Sequence, residues 1–440
     1  MGDLKQVEDT TDSSRGWARR FSAPPAFKYP QYRNYWFGML AAVGGFQVNS
    51  FGQFWLVHTL DDSPIALGYV GLANAIPAIG LNLVGGVVAD RFDKRRLIIT
   101  AQLATASLIF LLGMLAATGV AEVWHVLVIA FVSGGVSAFN SPAQMSLYPH
   151  LVKRDALMSA VALNSTVWQG TRIVAPAVAG VLIWLLGTSS PFFLAALGGL
   201  AFALVLKRID VQIEQESRES RALGDLLEGI RFIKNNSVFG FLIGMTFFNS
   251  FFGMAYITMM PVFADDILEV GSSGQGILMS VGGIGALATT IYLGSRGVMR
   301  KRGLILIGGA VMTGLSIAAF ALTSEWFGSM PLALVLLFIF GISTSSYMIS
   351  IQSSLQMLVP NRLRGRVMGF YGMTWSIMPL GGMYAGVVAG LVGVPWAIAI
   401  GGLLVSGFAI GPALLNRNVR GIGILLSEQT PATSPGSAGD

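Results

Sequence analysis

Gly86-Val87-Val88-Ala89-Asp90-Arg91-Phe92-Asp93-Lys94-Arg95-Arg96 sets two acids and four bases between long apolar runs, residues 65–89 and 97–117. A helix that crosses a bilayer needs roughly 17–25 largely apolar residues. Both runs meet that length, and inside a bilayer only helices or closed barrels satisfy every backbone polar group. The stretch therefore reads as a short cationic loop joining two membrane helices. Working outward with the same ruler gives ten more runs: residues 35–60, 123–147, 156–186, 190–206, 239–263, 274–294, 304–322, 332–351, 367–391 and 396–415. The reading is an all-α polytopic membrane protein with twelve transmembrane helices.

The loops fall into two alternating sets. Those near 61–64, 118–122, 187–189, 264–273, 323–331 and 392–395 contain no Lys or Arg. The other set holds Arg91, Lys94–Arg96, Lys153, Arg154, Lys207, Arg208, Arg300–Arg302, Arg362, Arg364 and Arg366. Of 28 Lys and Arg residues, all but Arg172 fall in the termini or in this second set. By the positive-inside rule the basic side is cytoplasmic. Both termini are then expected inside, which requires an even number of spans. No cleavable leader is expected, because the first apolar stretch begins near Tyr35 and is long enough to span.

Composition excludes most other classes. The chain of 440 residues is 53% hydrophobic and only 11% charged, against about 25% charged in soluble domains. The net charge of +6 is laid out as membrane orientation, so no nucleic-acid partner is expected. With no cysteine, disulfides, thiol catalysis and Cys-based metal centres are ruled out. No Gly-Lys dipeptide occurs, so no Walker A phosphate loop is present. No serine-histidine-acid grouping stands out and no cofactor is implied; the chain reads as no enzyme.

A shift of 207 residues carries Lys94-Arg95 onto Lys301-Arg302, Gly134 onto Gly341, Leu151-Val152 onto Leu358-Val359 and Trp168 onto Trp375. Four matches at one offset, in equivalent topological places, mark two six-helix pseudo-repeats related by an axis along the membrane normal. The expected organisation is a basic, disordered N-terminus (1–30), an N-terminal bundle (31–206), a linker (207–238), a C-terminal bundle (239–417) and a disordered tail (418–440). In the linker, Leu223, Leu226, Leu227, Ile230 and Ile233 recur at helical spacing and predict an amphipathic surface helix.

The opening stretch resembles G-x-x-x-D-R-x-G-R-R, the signature of the major facilitator superfamily, in the same loop. Asp93 stands where a glycine is usual. The stretches Asn140–Asp155 and Val359–Met368 resemble the enterobactin-exporter and macrolide-efflux branch. Arg172–Gly180 is similar to the antiporter motif G-P-x-x-x-G, with Ala175 in place of the first glycine and no basic residue midway along the fourth helix. The resemblance covers about residues 30–417. It implies the twelve-helix fold, rocking of two bundles, and a conformational gate made by Gly86, Asp90, Arg91, Arg95 and Arg96. In the outward-facing state Asp90 is expected to meet Arg364 or Arg366. The implied cavity lies between the first, fourth, seventh and tenth helices.

Those helices carry Gln47, Asn49, Gln53, Asn140, Gln144, Asn249, Ser346 and Tyr347 at depth, interleaved with aromatics such as Phe46 and Tyr256. Polar groups facing lipid are costly, so these are expected inside, some lining the pathway and others bonding between helices. Arg172 lies within the fifth helix and has two readings. It either bonds helix carbonyls near Pro176 or faces the cavity and recognises an anionic or acceptor-rich substrate. No carboxylate is read at mid-membrane. Candidates for proton coupling are peripheral: Asp61 with Asp62 and Asp265 with Asp266, which otherwise read as solvated helix caps, and His58 and His125, which otherwise read as interfacial anchors.

The expected function is secondary active transport: export of a bulky amphipathic small molecule from the cytoplasm across the plasma (inner) membrane, by a monomer. Its partners are that substrate, the bilayer and protons. A lipid or lysolipid carrier is the alternative within transport, and a non-transporting membrane sensor or scaffold the alternative outside it.

Overall fold

A computed structural model describes residues 24–209, 230, 231, 233, 234, 236–295 and 302–415. Among these the chain is helical, without strands. The elements are α1 (Pro30–Leu60), α2 (Pro64–Arg91), α3 (Lys94–Ala117), α4 (Val123–Leu147), α5 (Leu157–Leu186) and α6 (Ser190–Arg208). The second half comprises α7 (Ser237–Ile267), α8 (Gly271–Ser295), α9 (Arg302–Phe327), α10 (Met330–Leu358), α11 (Asn361–Trp375 and Met378–Val392) and α12 (Val394–Leu415). Eleven of the twelve are long and apolar enough to cross a membrane by length and composition. The remaining one, α1, has 31 residues, and Gln47, Asn49, Gln53 and His58 lower its hydropathy.

Local chemistry sets the helix ends. Pro30, Pro64 and Pro191 stand in the first turns of α1, α2 and α6, where a missing N–H costs nothing. Asp93 caps α3: its carboxylate accepts from the backbone N–H groups of Arg95 and Arg96. An N-cap carboxylate is what the helix start favours, which explains an aspartate where the family signature has glycine. Gly187 and Gly393 end α5 and α11 with φ of +86° and +89°, a conformation only glycine adopts cheaply. They occupy the same place in the two halves.

The packing repeats as well. In the first half α2 packs on α4, α1 on α6 and α3 on α6; in the second α8 packs on α10 and α9 on α12. Gly134 of α4 lies against the Asn74 carbonyl of α2, and Gly341 of α10 against the Gly282 carbonyl of α8. The halves meet through α2 with α11 and α5 with α8, pairs that a two-fold axis exchanges.

Three apolar cores show how the halves sit. Toward the face with no Lys or Arg in its loops, hereafter the far face, a single core runs through both bundles, joining Leu56, Leu67, Val126 and Phe192 to Met259, Phe263, Phe320 and Ile398. Toward the opposite, basic face there are two separate cores. One holds Tyr32, Tyr35, Leu147 and Phe202, the other Phe241, Tyr347, Leu355 and Val405. Glycine contacts follow the same division. Gly68 and Gly71 of α2 lie against Met383 and Pro379 of α11, and Gly180 and Gly276 bring α5 against α8. Nearer the basic face Gly80, Gly170, Gly294, Gly365, Gly369 and Gly372 have no neighbour within 4 Å of where a Cβ would stand. Among the described residues the two bundles share one core at the far face and keep separate cores at the basic one.

Three expectations need correction. Residues 25–30 do not belong to a disordered terminus: Pro25–Lys28 form a 3-10 turn, Ala26 is buried, and its N–H donates to Ser159 Oγ at 3.3 Å. Phe27 sets its ring edge-on to Trp36 at 5.2 Å, which supplies the apolar anchor. The eleventh span is not one uninterrupted helix; it breaks at Ser376 and Ile377, just before Pro379. The seventh span leaves α geometry in two π turns, Asn249–Gly253 and Phe263–Ile267. Residues 1–23 and 416–440, and most of the linker with Leu223, Leu226 and Leu227, lie outside the described residues; Ile230 and Ile233 are helical.

Candidate substrate pathway and gate

At the far face the ends of α1 and α7 meet. His58 is 4% exposed, and its Nε2 stands 3.4 Å from Asp266 Oδ1 and 3.7 Å from Asp265 Oδ2. The ring of Trp55 flanks it at 6.3 Å. His58 belongs to the first half and the two aspartates to the second, so a proton on the imidazole ties the bundles together by charge. Asp61 is not part of this group. Its Oδ1 accepts from the Ser63 N–H at 2.8 Å, a local turn bond that holds the carboxylate in the α1–α2 loop. Asp62 is close enough for its charge to act on Asp266.

Across the middle of the membrane α5 and α8 come together. Ser280 Oγ of α8 donates to the Ile173 carbonyl at 2.7 Å, and Ser272 Oγ to the Gly180 carbonyl at 3.1 Å. Arg172 is one residue from the first of these contacts. It is the sixteenth of the 30 residues of α5, and its side chain is exposed. Its charge acts on Tyr256 of α7. No hydrogen bond or ion pair holds Arg172 among the described residues, so the expected bonds to carbonyls near Pro176 are not formed. Four residues earlier Trp168, 44% exposed, meets Phe46 of α1, 53% exposed, edge-to-face at 6.3 Å.

The other pathway residues divide. Gln47 is half-buried, while Asn49 and Gln53 are buried and the Asn49 carbonyl oxygen has no hydrogen-bond partner. Asn140 and Gln144 satisfy each other along one face of α4, Gln144 Nε2 donating to Asn140 Oδ1 at 3.1 Å. Asn249 is fully buried with both amide atoms unpartnered, and the adjacent Ser250 hydroxyl is unpartnered too. Buried polar groups left unmade cost about 1–3 kcal/mol each, and they fall in the π turn of α7, a geometry frequent at functional sites. Tyr347 and Ser346 depart from expectation. Tyr347 is buried in the basic-side core of the second bundle and bonds to Thr246; its backbone N and Cβ pack against Gly309 of α9. The Ser346 hydroxyl is spent on the Ile342 carbonyl of its own helix at 2.8 Å.

The gate stretch also divides. Arg95 does not reach toward α11: its Nε donates to the Leu206 carbonyl at 2.8 Å and its Nη2 to the Lys207 carbonyl at 2.7 Å. Those carbonyls belong to the last turn of α6, where Leu206 also accepts from the Ile209 N–H and a cation meets the negative end of the helix dipole. Arg96 pairs with Asp93 at 3.5 Å on the surface. The side chains of Gly86, Asp90 and Arg91 lie outside the described residues. Arg364 is exposed and Arg366 half-buried on the first piece of α11, whose chief neighbours are α7 and α10. The piece that packs on α2 is Met378–Val392, nearer the far face.

Sequence reasoning noted Asp266 only as half of a dipeptide and Trp168 only as a repeat match. The signal for the first was His58 near the end of the first span, with an acidic pair near the end of its repeat mate. For Trp168 it was the four-residue spacing to Arg172, which places both on one helix face.

Twelve membrane helices in two bundles, which share one core at one face and keep separate cores at the other around a polar and aromatic interior, define a transporter of the major facilitator type. A family model described as "Transmembrane secretion effector" matches residues 22–420, and the chain belongs to that family. It is similar to the staphyloferrin A transporter of Staphylococcus aureus (strain NCTC 8325 / PS 47), 23% identical over 81% of this chain and 89% of the relative. Macrolide efflux protein A of Streptococcus pyogenes is 24% identical over 80% of this chain and 85% of its own length. Among solved structures, a bacterial homolog of the human lysosomal transporter Spinster superposes with a TM-score of 0.68 at 14% identity, covering 93% of this chain and 98% of that one. The chain is therefore a multi-pass membrane transporter and not an enzyme, as its sequence implies.

Proposed function

We propose that this transporter exports a bulky amphipathic small molecule from the cytoplasm by alternating access, as a proton-coupled monomer in the plasma (inner) membrane. The observation that carries the reading is the asymmetry of the cores: one shared by both bundles at the far face, two separate ones at the basic face. Rigid bundles joined on one side only can rock about that side, which is how repeat-built transporters expose a central site alternately. The basic face is assigned to the cytoplasm by the positive-inside rule, with both termini there. A substrate entering from the cytoplasm climbs to Arg172, Trp168 and Phe46 and meets the far-face seal.

His58 with Asp265 and Asp266 supplies the coupling. A proton on His58 attracts both carboxylates and holds the far face shut; its loss releases them. Asp90 with Arg364 or Arg366 forms the complementary latch of the far-open state. Two relatives are named as a staphyloferrin A transporter and a macrolide efflux protein, which supports export of a small molecule. Everted membrane vesicles from cells with and without the protein test the reading. Accumulation of a compound from such a panel, abolished by a protonophore, is expected; accumulation of none would remove the export reading.

A further inference from the structure

Resting on the transport reading, we propose a substrate class: an organic anion carrying an aromatic ring, bound with its anionic group on Arg172 and its ring against Trp168 and Phe46. The first support is the position of Arg172. Val174, Val178, Val181 and Leu185 are exposed along one side of α5 and form its lipid-facing stripe. At 3.6 residues per turn Arg172 and Trp168 project from the opposite side. Ile173, the next residue, is bonded to α8. The exposed guanidinium thus stands beside the contact that joins the two bundles, on the side of α5 away from the lipid-facing stripe.

The second support is the charge around it. Arg172 has no ion pair, and every acidic residue whose side chain is described stands at a helix end or in a loop. An arginine at mid-membrane is costly and marks a function by default when it faces an interior space. Nothing described around it neutralises it, so the missing counter-charge is left for the ligand to bring. A planar guanidinium offers a donor fork matched to a carboxylate, catecholate or sulfonate. A cationic amphiphile finds the reverse: no counter-charge, and repulsion from Arg172 that offsets any attraction to the rings.

The third support is aromatic. Trp168 and Phe46 remain 44% and 53% exposed while touching each other edge-to-face, leaving ring faces uncovered one helical turn from the guanidinium. Tyr256, within reach of the Arg172 charge, closes the far side and stands edge-on to Phe340 at 4.9 Å. An aromatic anion satisfies ring and charge together.

The test uses the purified full chain and two dansyl probes of similar size and opposite charge, dansylglycine and dansylcadaverine. Equilibrium binding is read by fluorescence anisotropy, with Arg172→Gln, Arg172→Lys and Trp168→Ala alongside the parent protein. Dansylglycine is expected to bind at least about tenfold more tightly than dansylcadaverine. Arg172→Gln should weaken it about tenfold or more, the scale of a lost charge-assisted hydrogen bond. Arg172→Lys should keep part of the binding, and Trp168→Ala should weaken both probes by a similar factor. Equal binding of the two probes, or unchanged dansylglycine binding by a folded Arg172→Gln protein, overturns the proposal. Counterflow of dansylglycine in proteoliposomes separates the two levels. Arg172-dependent binding without movement keeps the ligand class and overturns transport, whereas movement of both probes irrespective of Arg172 keeps transport and overturns the class.

Discussion

Replacing His58 by alanine should loosen the far face by a factor that follows from two distances. An imidazolium 3.4 and 3.7 Å from two carboxylates gains about 1.2 and 1.1 kcal/mol in bulk water, and about four times that at an effective dielectric constant near 20. Asp265 and Asp266 are 44% and 55% exposed, so the higher figures do not apply. Pairs this accessible to solvent measure about 0.2–1 kcal/mol each. Together the two contribute about 0.4–2 kcal/mol to the closed state when His58 is charged. Its loss multiplies the far-open fraction by about 2–30. Because the chain has no cysteine, a single Leu67→Cys, 1% exposed in the shared far-side core, is its only thiol. An impermeant maleimide applied to the far face reacts in proportion to the time that core spends open. His58→Ala should label about 2–30 times faster than its parent. Equal or slower labelling of His58→Ala would refute the reasoning.

Gly71→Val places a side chain against the Pro379 carbonyl of α11; overpacking costs about 1–3 kcal/mol, so the same thiol assay should show a more open far face. Arg95→Ala strips two carbonyls at the end of α6 of a donor; thermal unfolding in detergent should show a loss of about 1.5–3 kcal/mol, with transport per folded molecule retained. If Arg95 were a moving gate contact, transport would fall while stability held. Asp90→Asn should lower transport and shift the protein further toward the basic-side-open state without affecting membrane insertion, measured as vesicle uptake per inserted molecule. Unchanged uptake removes the Asp90 latch.

The twelve spans were legible because their signal is local: length and apolarity alone mark a helix that lipid can surround. The repeat was legible for a related reason, since Gly134 and Gly341 mark the same helix crossing in each half and a methyl would collide with a carbonyl at both. Features that depend on how distant segments meet were not. The residues next to His58 carry no sign of a partner more than two hundred residues away; only the repeat relation to Asp265 and Asp266 does. The motif reading gave Arg95 to a gate, but its guanidinium is nearer to the frayed end of α6, more than a hundred residues downstream, and takes the carbonyls there. Tyr347 reads as polar and therefore as pathway; a hydroxyl satisfied by Thr246 lets its ring behave as core. The break at Ser376 and Ile377 and the π turn at Asn249 leave no periodicity signal, since the flanking residues stay apolar on both sides.

The central claim is that the two bundles rock, closing one face as the other opens. Spin labels on cysteines at Thr59 and Glu269 report the far face, and labels at Met145 and Gln356 report the basic face; all four positions are exposed. Both distance distributions are measured by electron–electron double resonance in lipid nanodiscs at pH 6 and pH 8, with and without His58→Ala. The account predicts reciprocal change: conditions that lengthen the Thr59–Glu269 distance shorten the Met145–Gln356 distance, with the far-closed population larger in the parent protein than in His58→Ala. Distances that stay fixed under every condition, or that lengthen together at both faces, would contradict it.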